Sequence, residues 1–426
     1  MNIQITGGEM GHLEELAGRL DRALAGADAA LAASYPGERG VRQPVHTVYV
    51  PGDRYAAQAV AEWSAEAGRV LAEHGHSAAE VADVFDLRPD LAAEVYDRVR
   101  AKLDTEPIED LRIDFEDGYG ARPDADEDAA VLAAARALAA TVHDGSAPPF
   151  HGIRIKSFEA PTRHRGLRTL DLFLGELARE AGLGDGLVIT LPKVTSVEQV
   201  SAMVTALDAL ETAHGIAAGS LRFEIQVETP QAILGSDGTA LVARMIAAGA
   251  GRVTGLHYGT YDYSASLGVA AAHQSMEHPV ADHAKDVMQV AAAGTGVFVS
   301  DGSTNMLPVG DPEAVRSAWR LHARLVGRSL ARGIYQGWDL HPAQLPSRYI
   351  ATYAFFREGL EVAAARLRAY VHGGDSSYLD EPATAAALAA FVLRGVECGA
   401  VTADEVERLA GVDRSHLARL ARRRVD

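Results

Sequence analysis

Several polar side chains fall at or just past the carboxyl ends of short runs rich in β-branched residues. They are Asp114, Glu116 and Asp117 after one run, then Arg154, Lys193, Glu228 and Asp262 after four later ones, and Asp339 with His341 after the last. Carboxylates grouped with one arginine and one lysine suit a hard cation and an anionic substrate. Glu228 and Asp262 follow neighbouring runs, so their oxygens can approach one ion, and two carboxylates plus waters are what Mg²⁺ or Mn²⁺ accepts. Arg154 offers a planar fork to a substrate carboxylate, the alternative being an ion pair with Glu116 or Asp117. Lys193, after Leu191 and Pro192, reads either as a Schiff-base amine or as a salt bridge across the mouth of the site. The salt bridge is preferred, because a metal already supplies an electron sink. A lone acid is usually a helix cap or a surface charge, so it is the joint placement that argues for a site.

Such residues need a scaffold that brings strand ends together. Eight candidate strands are legible at 45–50, 111–115, 152–156, 187–191, 223–227, 253–258, 296–300 and 333–340. Most are separated by Ala- and Leu-rich stretches of helical period, and alternating strands and helices argue for a parallel sheet. Eight units at this spacing predict an α/β protein, a (β/α)8 TIM barrel, whose reacting groups sit at the carboxyl ends of its strands. The expected organisation is an N-terminal helical segment over 1–44, the barrel over 45–372 with a helical insertion at 55–110, and a C-terminal helical extension over 373–426. Within that extension Thr402 and Asp413 are suitable helix starts.

Bulk properties narrow the function. The 426 residues are 48% hydrophobic and 23% charged, an ordinary globular balance. A formal charge of -18 opposes nucleic acid and anionic lipid, and the only dense basic run, 422–424, reads as favourable charge at a helix end. One cysteine, Cys398, precludes an internal disulfide or a thiolate cluster. With no secretion-like leader or long apolar span, the expectation is a cytoplasmic protein without membrane or nucleic-acid partners. Walker, GxGxxG, HExxH and GxSxG motifs are absent. His273, His278 and His283, five apart, scatter around a helix and suggest no metal site.

The motifs, in order, resemble those of the citrate lyase beta-subunit-like members of the HpcH/HpaI aldolase superfamily. Tyr49-Val50-Pro51-Gly52-Asp53-Arg54 resembles the family's first strand and turn, and Asp114-Phe115-Glu116-Asp117-Gly118 its Asp-Leu-Glu-Asp motif. Ile153-Arg154-Ile155-Lys156 is similar to Val-Arg-Ile-Asn, Leu191-Pro192-Lys193-Val194 to Leu-Pro-Lys-Val, and Val227-Glu228-Thr229 to Ile-Glu-Thr. The stretch from Tyr258 through Gly259, Thr260 and Asp262 resembles Gly-Thr-Glu-Asp-Phe, and His341-Pro342-Ala343-Gln344 resembles His-Pro-Ser-Gln. Seven such matches in the family's order cover the whole barrel.

The resemblance implies that Glu228 and Asp262 ligate Mg²⁺, that Arg154 holds a substrate carboxylate, and that Glu116 and Asp117 position metal-bound water. Gly259 and Thr260 then lie on the substrate side. It further implies a carbon-carbon lyase or aldolase that cleaves or forms a hydroxy or oxo acid, or its coenzyme A thioester, through a metal-stabilised enolate. Family members often form trimers or hexamers, so a homo-oligomer is expected. The alternatives are a malate-synthase-like condensation or thioester hydrolysis on the same site, and a catalytically silent barrel whose C-terminal helices serve as an interaction module.

Overall fold

A computed structural model of the chain describes residues 7–373 and 380–421, with side chains from residue 12 onward. The basic run at 422–424 and residues 374–379, at the start of the expected C-terminal extension, lie outside the described residues. Eight parallel strands, β1 (His46–Pro51), β2 (Asp110–Asp114), β3 (Phe150–Arg154), β4 (Leu187–Leu191), β5 (Phe223–Val227), β6 (Val253–Tyr258), β7 (Phe298–Ser300) and β8 (Gly337–Asp339), pair in sequence order, with β8 beside β1. A single parallel bridge, Ser300 to Gln336, and the Asp301 amide on the Gln336 carbonyl at 2.8 Å close β7 onto β8. The sheet is thus a (β/α)8 barrel.

Helices flank the strands on the outside of the sheet. An N-terminal helix α1 (Gly7–Ser34) precedes β1, and the insertion holds α2 (Ala59–His74), α3 (Ala78–Phe85) and α4 (Pro89–Thr105). The break between α3 and α4 is local: Asp86 takes a left-handed conformation at φ 54°, and Pro89, lacking an amide hydrogen, starts the next helix. Helices α5 (Asp124–Asp144), α6 (Arg163–Glu180) and α7 (Val197–His214) follow β2, β3 and β4. Short α8 (Pro230–Ile233) and α9 (Leu241–Ala248) follow β5, and α10 (Thr260–Ser266) and α11 (Pro279–Ala292) follow β6. The ring is completed by α12 (Pro312–Ala331) and α13 (Leu345–His372).

The extension forms α14 (Pro382–Glu397), α15 (Ala403–Ala410) and α16 (Arg414–Ala421). Thr402 caps α15 in a reciprocal box with Glu405. Phe391 packs on Phe356 of α13 at 5.2 Å, and the Tyr353 hydroxyl donates to the Cys398 carbonyl at 2.8 Å. Apolar surface of the extension is therefore spent on the barrel's own closing helix. Among the described residues no helix is long and apolar enough to cross a membrane.

Strand residues such as Val48, Ile113, Ile153, Ile189 and Ile225 are fully buried between sheet and helices. The barrel interior, by contrast, is polar. Arg112 is paired with Asp110 and donates to Glu224 at 2.9 Å, Thr47 donates to Asp110 at 2.7 Å, and His257 meets Glu224 at 2.9 Å. Burying charge is tolerated here because each group has a partner.

Candidate functional site at the carboxyl mouth of the barrel

Side chains two apart on a strand share a face, so Asp110, Arg112 and Asp114 all enter the barrel, the last nearest the mouth. Asp114 accepts from Arg154 Nε and Nη2 at 2.7 Å each, a bidentate pair across adjacent strands. The same carboxylate takes the Glu116 amide at 2.9 Å and the Gly118 amide at 2.8 Å, which curls the loop inward. A Cβ on Gly118 would lie 2.5 Å from Asp114 Oδ2, so the turn needs glycine.

The Arg154 guanidinium lies over the Tyr49 ring at 4.6 Å and, being buried, has most of its donors committed. Its Nη1 faces Gln226 Oε1 at 3.3 Å and Glu116 Oε2 at 3.6 Å. The fork expected to take either a substrate carboxylate or Glu116 and Asp117 is instead filled by Asp114. Only Nη1 is directed at the centre of the mouth.

Four carboxylates gather around Lys193. Its Nζ lies 2.8 Å from Glu116 Oε1, 2.7 Å from Asp117 Oδ2 and 3.0 Å from Asp262 Oδ2, while its backbone amide donates to Glu228 Oε1 at 2.8 Å. Lys193 has φ 49°, a conformation disfavoured for side-chain-bearing residues, held by this network. The acids raise the ammonium pKa above its ordinary value despite partial burial, so the lysine is a fixed cation spanning the mouth.

Glu228 is buried, and its Oε2 accepts from Gln226 Nε2 at 2.6 Å. Burial, only partly offset by Lys193 and aggravated by Glu116 and Asp262, pushes its carboxyl pKa up to about 8. Burial likewise raises Glu116, whereas for Asp117 the Lys193 hydrogen bond and charge overcome burial and lower it. A Cβ on Gly259 would stand 2.5 Å from Glu228 Cβ and 2.8 Å from its Oε2. Gly259 therefore makes room for Glu228. The Thr260 hydroxyl is buried with no hydrogen-bond partner, and a Cβ on Gly302 would meet it at 2.0 Å.

Two strand-end candidates, Asp339 and the possible rim residue His341, lie apart from this cluster. Asp339 points out of the barrel, where His46 Nδ1 lies 2.9 Å, His322 Nε2 3.1 Å and Arg348 Nη2 2.9 Å from its oxygens. It pins β8 to β1, α12 and α13 and takes no part in the mouth. His341 is half-buried and caps the following turn, Nδ1 accepting from the Ala343 amide at 3.1 Å, and burial lowers its pKa. Gln226, which joins Arg154 to Glu228, was missed. Its signal was present: it lies two residues before Glu228 on the same face of β5.

The fold defines the class, a (β/α)8 barrel with charged side chains gathered at its carboxyl mouth. A citrate lyase from Burkholderia xenovorans LB400 shares that fold, with a TM-score of 0.58 at 19% identity over 87% of this chain and 99% of that one. A malate synthase from Haloferax volcanii gives 0.48 at 14% identity over 90% of each chain. The CitE protein of Mycobacterium tuberculosis, solved with magnesium, acetoacetate and coenzyme A, gives 0.47 at 17% identity over 84% of this chain and 99% of that one. No curated protein matches the sequence. Over residues 24–425 the sequence matches the domain of unknown function DUF6986, and the chain belongs to that family.

Proposed function

We propose that the chain is a divalent-cation-dependent carbon-carbon lyase or aldolase acting on a small hydroxy or oxo acid, free or as an acyl thioester. The observation that carries this reading is the convergence of Glu116, Asp117 and Asp262 on the Lys193 ammonium, with Glu228 on the amide of the same residue. Lys193 Nζ stands where a cation is favoured, and the raised carboxyl of Glu228 marks a cluster short of positive charge. Among the described residues no three His, Cys, Asp or Glu side chains are arranged to hold a metal by themselves. An ion held by two carboxylates would need water and substrate oxygens to complete its shell.

Glu228 and Asp262 would hold Mg²⁺ or Mn²⁺, which when bound polarises a substrate carbonyl and stabilises enolate charge. Arg154, immobilised by Asp114, presents Nη1 to a substrate carboxylate. Glu116, with its carboxyl raised, stands beside Asp117, held low, and two acids set apart in this way suit proton transfer by Glu116. Gln226 and the Lys193 amide fix both oxygens of Glu228. Gly259, packed against Glu228, and Thr260 next to it would contact substrate.

An assay of oxo acids, hydroxy acids and acyl thioesters with Mg²⁺ and Mn²⁺, following pyruvate, oxaloacetate, glyoxylate and free thiol, tests the reading. It requires metal-dependent turnover of at least one member. Turnover insensitive to chelator, or none across the panel with metal bound, would overturn it.

A further inference from the structure

Helix α1 projects from the end of the barrel opposite the site. Its root is fixed: the Gly37 amide donates to the Gly294 carbonyl at 2.8 Å, and Arg39 donates to the carbonyls of Gly296 at 2.9 Å and Thr254 at 3.2 Å. Beyond that root Leu13, Leu20, Leu24 and Leu31 are 61%, 53%, 52% and 58% exposed. At 3.6 residues per turn these four leucines fall within about 20° of one line along the helix. Ala17 and Ala27 flank them, whereas Glu14, Glu15 and Arg22 lie on other faces. Leaving such a stripe in water is unfavourable.

The spacing of the stripe points to its occupant. Leu20 and Leu24 are equally far from position 22, as are Ala17 and Ala27, and Leu13 and Leu31. A two-fold axis at that level sets Leu13 against Leu31 of a second copy and Leu20 against Leu24, so every leucine of the stripe meets another, while Leu16, 39% exposed, lies about 60° to one side of it. An isologous contact of this kind demands that symmetry, whereas a lipid surface or an unrelated protein does not. The acids Glu14, Glu15, Asp21 and Asp28 outnumber Arg19 and Arg22, which further opposes an anionic membrane.

We infer that α1 is a self-association arm that pairs antiparallel with α1 of a second copy of this chain. The contact lies at the amino end of the barrel and leaves the carboxyl mouth open. It stands independently of the proposed reaction.

Sedimentation equilibrium of the full chain, with Leu20→Glu and Leu24→Glu as the perturbation, tests it. The expected result is that the double variant halves the assembly mass and raises the dissociation constant by roughly 100-fold or more, with unchanged circular dichroism. A monomeric native chain, or an assembly unaffected by the variant, would overturn the inference. Orientation is read by oxidative cross-linking. Leu13→Cys combined with Leu31→Cys should give a covalent dimer and neither single variant should; a dimer from either single variant would mean parallel pairing and refute the antiparallel arrangement.

Discussion

Arg154 and Asp114 stand opposite each other in the β2–β3 register and share two hydrogen bonds of 2.7 Å. The arginine is thereby a braced group with one outward nitrogen rather than a free clamp. Asp114→Asn leaves a buried guanidinium without its counter-charge, and breaking such a pair costs about 3–5 kcal/mol. Urea denaturation should show that loss, together with a raised KM for any oxo acid turned over. A variant within about 1 kcal/mol of the native chain would contradict the bracing role.

Gly259→Ala tests whether the mouth depends on the position of Glu228. The backbone at Gly259, φ -96° and ψ 94°, accepts alanine, so the conflict is with the glutamate side chain alone. Overpacking should cost about 1–3 kcal/mol, and displacement of a ligand by its support should weaken Mn²⁺ binding by about 10–100-fold. Calorimetric titration with unchanged affinity would show that Glu228 is not a ligand.

Lys193→Met asks whether the ammonium competes with a bound ion. Removing one positive charge within about 3 Å of three carboxylates should tighten Mn²⁺ binding by about tenfold or more while lowering turnover. Weaker binding would mean that the lysine chiefly assembles the cluster.

Much of this site was legible because strand ends are readable: an apolar run closed by Pro or Thr marks where Glu228 and Lys193 emerge, and Arg154 is the one charge inside its run. Side-chain parity was harder. β8 is only three residues long, too short for its phase to show, so Asp339 stands among the strand-end candidates in the sequence although it faces outward to His46 and Arg348. The polar barrel interior was hidden for a different reason. Arg112 and Glu224 look like solvent-facing residues in an alternating strand until the closed sheet places them in contact. The arm α1 was readable as a helix, but only the fold shows its leucines uncovered.

Around Asp339, acid sensitivity follows from geometry. His322 is buried against Asp339, Arg348, His46 and Ser347, and burial depresses its pKa below the ordinary 6.5. A depressed histidine contributes stability above pH 6.5 that is lost as pH falls toward its folded pKa, because the unfolded chain takes up the proton first. Thermal melts should lose stability between pH 7 and 5 with a slope approaching about 1.4 kcal/mol per pH unit. His322→Gln should flatten that slope; an identical pH profile would assign the sensitivity elsewhere.

Mn²⁺ titration followed by electron paramagnetic resonance, comparing the native chain with Glu228→Gln, tests the account most directly. One ion per chain should bind the native protein, with affinity reduced by about 100-fold or more in the variant and an unchanged melting temperature or a higher one. Equal Mn²⁺ affinity in the two proteins would contradict the assignment of Glu228 and Asp262 as the pair that holds the cation.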